Sequence, residues 1–123
     1  MAEETKNAKA ERLIRETIQQ RGYIFPEWEL VCRSDPDFFE NYNRLYASGL
    51  GKAGKLSIKV KEFIALAILA FRGLPAEVIA AHAKRAMDNG ASKEEVMEAL
   101  ETAMIASGVP TRLNGLTGIL KMK

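Results

Sequence analysis

The chain has 123 residues, of which 47% are hydrophobic, so a single domain with a substantial core is expected. Its 18 basic and 16 acidic residues nearly cancel, and no basic stripe interleaves with aromatic residues, which argues against a nucleic-acid partner. The longest strictly apolar run, residues 63–71, is too short for a membrane span, which needs about 18 residues.

The N-terminal part of the chain predicts three helices within one domain that covers residues 1–123. Its first twelve residues are polar and lack the pattern of a secretory signal, so we expect a cytoplasmic protein. The first helix covers residues 4–20, with residues 1–8 frayed, and a short second helix begins at Pro26. The third begins after Asp35, an N-cap residue that proline follows. Its buried side is predicted to carry Phe38, Phe39, Tyr42, Leu45 and Tyr46.

A central helix is predicted between Ser57, its N-cap, and Gly73, its C-terminal stop. Apolar residues surround most of its circumference: Val60, Phe63, Ile64, Leu66, Ala67, Ile68, Leu69 and Phe71. A helix that is apolar on nearly all sides is buried on nearly all sides. Since a chain of this size cannot easily cover such a helix, we expect part of its surface to contact another subunit.

Three more helices are predicted after the central one. The first begins at Pro75 and has an apolar face that includes His82. On its outer side the pattern places Lys84, Arg85 and Asp88. The second begins at the capping box Ser92-Lys93-Glu94-Glu95, and the last begins at Val109-Pro110. No alternating strand pattern is present, so the predicted fold is all-α.

The main candidate for chemistry is His82, the single histidine of the chain. Near neutral pH, histidine is the side chain best suited to exchange protons. An acid, Glu62, lies near the start of the preceding helix, and the short turn at Gly73 makes the two helices pack antiparallel. We therefore predict a pair in which His82 donates a proton and Glu62 orients the imidazole. The alternative is a buried polar contact that only holds two helices together.

Residues 55–110 resemble the carboxymuconolactone decarboxylase family, which includes the alkylhydroperoxidase D-like proteins. The motifs that carry the resemblance are Lys55-Leu56-Ser57, Lys61-Glu62-Phe63-Ile64-Ala65-Leu66-Ala67, His82 with Ala86 and Gly90, Glu94-Glu95-Val96-Met97-Glu98-Ala99-Leu100, and Gly108-Val109-Pro110. The resemblance implies six or seven helices around a helical hairpin and assembly into a homo-oligomer, a hexamer or a trimer. It also implies His82 and Glu62 as the site of a lyase that acts without a cofactor on a small lactone or carboxylic acid.

The peroxidatic branch of this family is defined by the motif C-x-x-C-x-x-x-H. Its two cysteine positions correspond here to Pro75 and Val78, and Cys32 is the single cysteine of the chain. A peroxide-reducing cycle needs an activated thiolate and a second, resolving thiol. The absence of cysteine at both positions disfavours an alkylhydroperoxidase or peroxiredoxin-like antioxidant. Cys32 is predicted to be a core residue instead.

Three further ionisable residues are weaker candidates. Arg72 and Arg112 can bind a substrate carboxylate through two hydrogen bonds, although such arginines are more often surface charges. Glu77 is expected to stabilise a helix N-terminus rather than to act in catalysis. No metal site is expected, because one histidine without a cluster of further ligands falls short of a ligand set. A non-catalytic oligomer that binds a small molecule remains the rival hypothesis.

Overall fold

The computed structural model describes residues 3–122, and it confirms the predicted all-α fold. Within those residues the chain forms seven α-helices, a short π-helix and no strand. The α-helices are α1 (Lys6–Arg21), α2 (Pro26–Ser34), α3 (Pro36–Tyr46), α4 (Ile58–Arg72), α5 (Ala76–Asp88), α6 (Lys93–Ser107) and α7 (Val109–Lys121). The π-helix covers Ala47–Gly51. Over the same residues, no helix is long and apolar enough to cross a membrane.

The chain divides into two compact units, Met1–Gly49 and Leu50–Lys123. The single domain expected over residues 1–123 therefore stays a prediction. In the first unit, Thr5 caps α1 by accepting a hydrogen bond from the backbone N–H of Ala8. The helix thus begins inside the segment 1–8 that was predicted to fray, of which residues 1 and 2 lie outside the described part.

The first unit consists of α1, α2 and α3 around a small core. Its buried apolar residues are Ala10, Leu13, Ile14, Cys32 and Phe39. The indole of Trp28 stacks on the ring of Tyr42, with the ring centroids 4.2 Å apart. The prediction that Phe38 and Leu45 are buried is wrong, because α3 turns Phe39 inward and leaves both of them exposed.

The second unit consists of α4 to α7, and α5 packs against both α4 and α7. Its core contains Leu66, Ala70, Ile79, Ala83, Ala86, Ala91, Val96, Leu100 and Ile119. The predicted start and stop signals are present. Ser57 caps α4, Gly73 ends it at a φ of 71°, and the Ser92–Glu95 capping box opens α6. At α5 the boundary moves by one residue, since Pro75 is the N-cap and Ala76 the first helical residue.

The central helix α4 is less covered than its sequence predicts. Its inner side buries Glu62, Leu66 and Ala70. On its outer side, exposed fractions of 48%, 53% and 62% are found for Ile64, Ile68 and Phe71. The expectation of burial on nearly all sides is therefore wrong for the single chain, and coverage by a second subunit stays a prediction.

Candidate functional site

The structure brings Glu62 and His82 into direct contact. Gly73 adopts a left-handed conformation that ends α4, and its short turn leads straight into α5. Glu62 and His82 lie at similar distances along the chain on either side of this turn, so the packed helices place them level with each other. The Nδ1 atom of His82 lies 2.7 Å from Oε2 of Glu62.

A third residue, Arg85, also contacts Glu62, and we call Glu62, His82 and Arg85 the cluster. Its Nε atom lies 3.3 Å from Oε1 of Glu62, so the two carboxylate oxygens contact two different partners on α5. The sequence pattern predicted Arg85 on the outer side of the helix, which is wrong. Arg85 follows His82 by three residues, and this spacing places two side chains next to each other on a helix surface. That spacing is the signal by which Arg85 could have been found.

The three side chains differ in their access to solvent. Glu62 has an exposed fraction of 0%, whereas 13% of the side chain remains exposed in both His82 and Arg85. Burying an isolated carboxylate is costly, so a buried one is normally paired. Of the two acid/base groups, the imidazole therefore has exposed surface and the carboxylate has none.

The hydrogen-bond roles within the cluster depend on the tautomer of His82. An ionised carboxylate can only accept hydrogen bonds, so if Glu62 is ionised, the hydrogen of this contact lies on Nδ1 of His82. Nε2 is then the nitrogen left to exchange a proton with another molecule. The contact of Arg85 with Oε1 lacks hydrogen-bond geometry, and Oε1 accepts no hydrogen bond within the described residues, so this contact is an ion pair.

The weaker candidates lie elsewhere. Arg72 and Glu77 are exposed, and neither forms a hydrogen bond or ion pair with Glu62 or His82. Arg112 donates from Nη2 to Oε1 of Glu101, 2.9 Å away, which links α7 to α6. The structure thus does not gather these three residues around the buried carboxylate.

The positions relevant to peroxide chemistry contain no thiol pair. Pro75 is the N-cap of α5 and Val78 lies in its first turn. Cys32 is buried in the first unit, where its Sγ lies 3.6 Å from the carbonyl oxygen of Ala10. Burial raises the pKa of the Cys32 thiol, which works against formation of a thiolate. Over residues 3–122, no three His, Cys, Asp or Glu side chains are grouped as a metal ion would require.

Comparison with known proteins adds a family and a fold. The sequence profile of the carboxymuconolactone decarboxylase family matches residues 36–117, a wider range than the motifs in residues 55–110. A crystal structure from Burkholderia xenovorans LB400, named "putative carboxymuconolactone decarboxylase", superposes with a TM-score of 0.75 at 21% identity. The match covers 94% of this chain and 92% of the other. At that identity, the likeness establishes the fold alone. No curated protein matches the sequence.

Proposed function

This chain belongs to the carboxymuconolactone decarboxylase family, and we propose that it is a cofactor-free acid/base lyase that acts on a small lactone or carboxylic acid. The observation that carries the proposal is the contact of 2.7 Å between His82 Nδ1 and Glu62 Oε2. It joins the single imidazole of the chain, which is partly exposed, to a carboxylate that is fully buried. This combination suits proton transfer at a fixed position.

In the proposed reaction, a carbon–carbon bond to the substrate carboxylate breaks and carbon dioxide leaves. The electron pair of that bond delocalises into the lactone carbonyl and forms an enolate. Protonation at carbon then completes the reaction, so neither a metal nor an organic cofactor is needed for the atoms and charges to balance. The site must stabilise the enolate oxygen and deliver one proton.

His82 supplies that proton from Nε2, and Glu62 acts through its contact with Nδ1. The carboxylate accepts the Nδ1 hydrogen bond whether the imidazole is protonated or neutral, so it orients the ring throughout the cycle. It also stabilises the positive charge of the imidazole before the proton leaves. Solvent then returns a proton to the imidazole, whose side chain is 13% exposed.

One rival function is a non-catalytic oligomer that binds a small molecule. The observation in its favour is the complete burial of Glu62, since a carboxylate with two partners on the next helix also serves to hold α4 and α5 together. An alkylhydroperoxidase-like antioxidant is disfavoured, because Pro75 and Val78 occupy the cysteine positions. The fold is compatible with each of these functions.

The test is a screen of the purified protein against lactone acids and hydroperoxides, with release of carbon dioxide and loss of peroxide as the two readouts. We expect turnover of at least one lactone acid and its loss in His82→Ala. Helix content by circular dichroism must be equal in the two proteins. Failure of every lactone acid, or equal turnover by His82→Ala, contradicts the proposed function.

We also propose that the protein is a homo-oligomer, a hexamer rather than a trimer. The support is the row formed by Ile64, Ile68 and Phe71, three large apolar side chains that are about half or more exposed on one side of α4. Exposed apolar rows of this kind are typical of surfaces that contact another protein.

A further inference from the structure

Glu62 contacts one permanently charged group among the described residues, and that group is Arg85. The other cations near it on α4 are engaged elsewhere. Lys59 Nζ lies 3.1 Å from Oε2 of Glu95, and Lys61 Nζ donates to the carbonyl oxygen of Lys52. On α5, Lys84 pairs with Asp88 across the exposed surface. The charge that faces the buried carboxylate is therefore the guanidinium at 3.3 Å from Oε1.

We propose that Arg85 is a positioning residue that keeps Glu62 ionised, and thereby fixes the neutral imidazole of His82 as the Nδ1–H tautomer with Nε2 free to react. The inference rests on the proposed function, because it specifies which nitrogen of the acid/base residue meets the substrate. Arg85 does not itself contact the reacting atoms in this scheme.

The physical reason lies in the two states open to a buried carboxylate. With a guanidinium beside it, the carboxylate keeps its charge and can only accept, so the hydrogen of the neutral imidazole must lie on Nδ1. Without that cation, the charge of the buried carboxylate is no longer compensated by Arg85, and a buried charge without compensation favours binding of a proton to the carboxylate or to its partner.

The additional proton binds either to Glu62 or to the imidazole, and each of these changes the protonation of Nε2. If it binds Glu62, the carboxylic acid donates to Nδ1 and the imidazole hydrogen moves to Nε2. If it binds the imidazole, both ring nitrogens are protonated. In either case, Nε2 carries a hydrogen when Arg85 is removed, whereas with Arg85 present the neutral imidazole carries none on Nε2.

Because the chain has one histidine, labelling histidine with ¹⁵N reports this single ring without assignment. The spectra are recorded at about pH 8.5, above the range in which an ordinary imidazole titrates. We expect the parent protein to show a protonated Nδ1 and an unprotonated Nε2. We expect Arg85→Met to show a protonated Nε2, and Arg85→Lys to restore the parent pattern by restoring the charge.

The matched control is Lys84→Met, which removes one positive charge from the neighbouring position on α5 without touching Glu62. It should leave the parent spectrum unchanged. If Arg85→Met does not fold, the same spectrum is recorded for Arg85→Gln, which removes the charge but keeps a polar side chain. An unprotonated Nε2 in the charge-removing variant that folds, or a protonated Nε2 in the parent, overturns the proposal. No substrate is needed, so this result is independent of whether the activity screen succeeds.

Discussion

Gly118 of α7 packs directly against the side chain of Ile79 on α5. A Cβ atom at position 118 would lie 2.6 Å from Cβ of Ile79 and 3.3 Å from the backbone oxygen of Ala76. Both atoms belong to the backbone of α5 or are bonded to it, so neither can shift without displacing the helix that carries His82.

We therefore expect Gly118→Ala to lower the free energy of unfolding by about 1–3 kcal/mol, the usual cost of overpacking a core. Gly115→Ala is the matched comparison, because the three atoms nearest to its Cβ all belong to the side chain of Leu100, Cδ1 and Cδ2 at 2.5 Å and Cγ at 2.9 Å, and none to a backbone. Gly115→Ala should lower the free energy of unfolding by less than Gly118→Ala does. Urea denaturation measures both. A Gly118→Ala protein more stable than the parent, as helix propensity alone predicts, contradicts this packing.

The second prediction concerns pH and the start of α6. The carboxylate of Glu95 accepts hydrogen bonds from the backbone N–H of Ser92 and from Lys59 Nζ, and these contacts hold the pKa of Glu95 below its ordinary value. A carboxyl group whose pKa is lowered by folding stabilises the protein above its unfolded pKa, and this contribution disappears as the pH falls through the folded value.

Glu95→Gln is therefore expected to be less stable than the parent at about pH 7, and the difference should close at about pH 3, below the ordinary range for glutamate. Urea denaturation at the two pH values measures it. Glu98→Gln removes the same charge from an exposed side chain of the same helix and corrects for net charge. The explanation fails if the difference between Glu95→Gln and the parent is equal at both pH values.

The third prediction is that the protein has no thiol-dependent peroxidase activity. Cys32 is buried and its pKa is raised, and no second cysteine exists to resolve an oxidised one. Hydroperoxide consumption in the presence of a disulfide reductant should stay at the background rate. Rapid consumption that Cys32→Ser abolishes would show that a thiol cycle operates after all.

Local signals in the sequence were sufficient to predict much of the fold. Ser57, Gly73 and the Ser92–Glu95 capping box act on the backbone within a few residues, and each begins or ends a helix where it was predicted to. The approach of Glu62 to His82 also followed from the chain, since one short turn joins their helices. Their catalytic roles stay predictions.

Contacts that depend on packing were harder to predict. The helical pattern places Arg85 on the outer side of its helix, yet a buried carboxylate on the neighbouring helix pairs with it. It places Phe38 on the buried side of α3, yet Phe39 occupies that side and Phe38 is exposed. In both cases, the helical pattern leaves a residue near the edge of a face, and only the neighbouring helix decides on which side it lies.

The fourth prediction tests the exposed row on α4. Sedimentation at low micromolar concentration should show a hexamer or a trimer for the parent protein. Ile68→Lys places a charge in the middle of the row, where Ile68 is 53% exposed, and should dissociate the assembly because the charge would be buried at the contact. Thr102→Lys adds the same charge at an exposed position of α6 and should leave the assembly intact. A stable, folded monomer of the parent protein would rule out the assembly.

The most direct test of the acid/base role of His82 is chemical rescue of His82→Ala by added imidazole, measured as turnover of the lactone acid that the screen identifies. We predict that the variant stays folded, loses turnover, and regains part of it as imidazole from solution takes the place beside Glu62. A purely structural histidine predicts a different result, in which His82→Ala unfolds or dissociates and imidazole restores nothing. That outcome, or full turnover by His82→Ala without imidazole, would contradict the central claim.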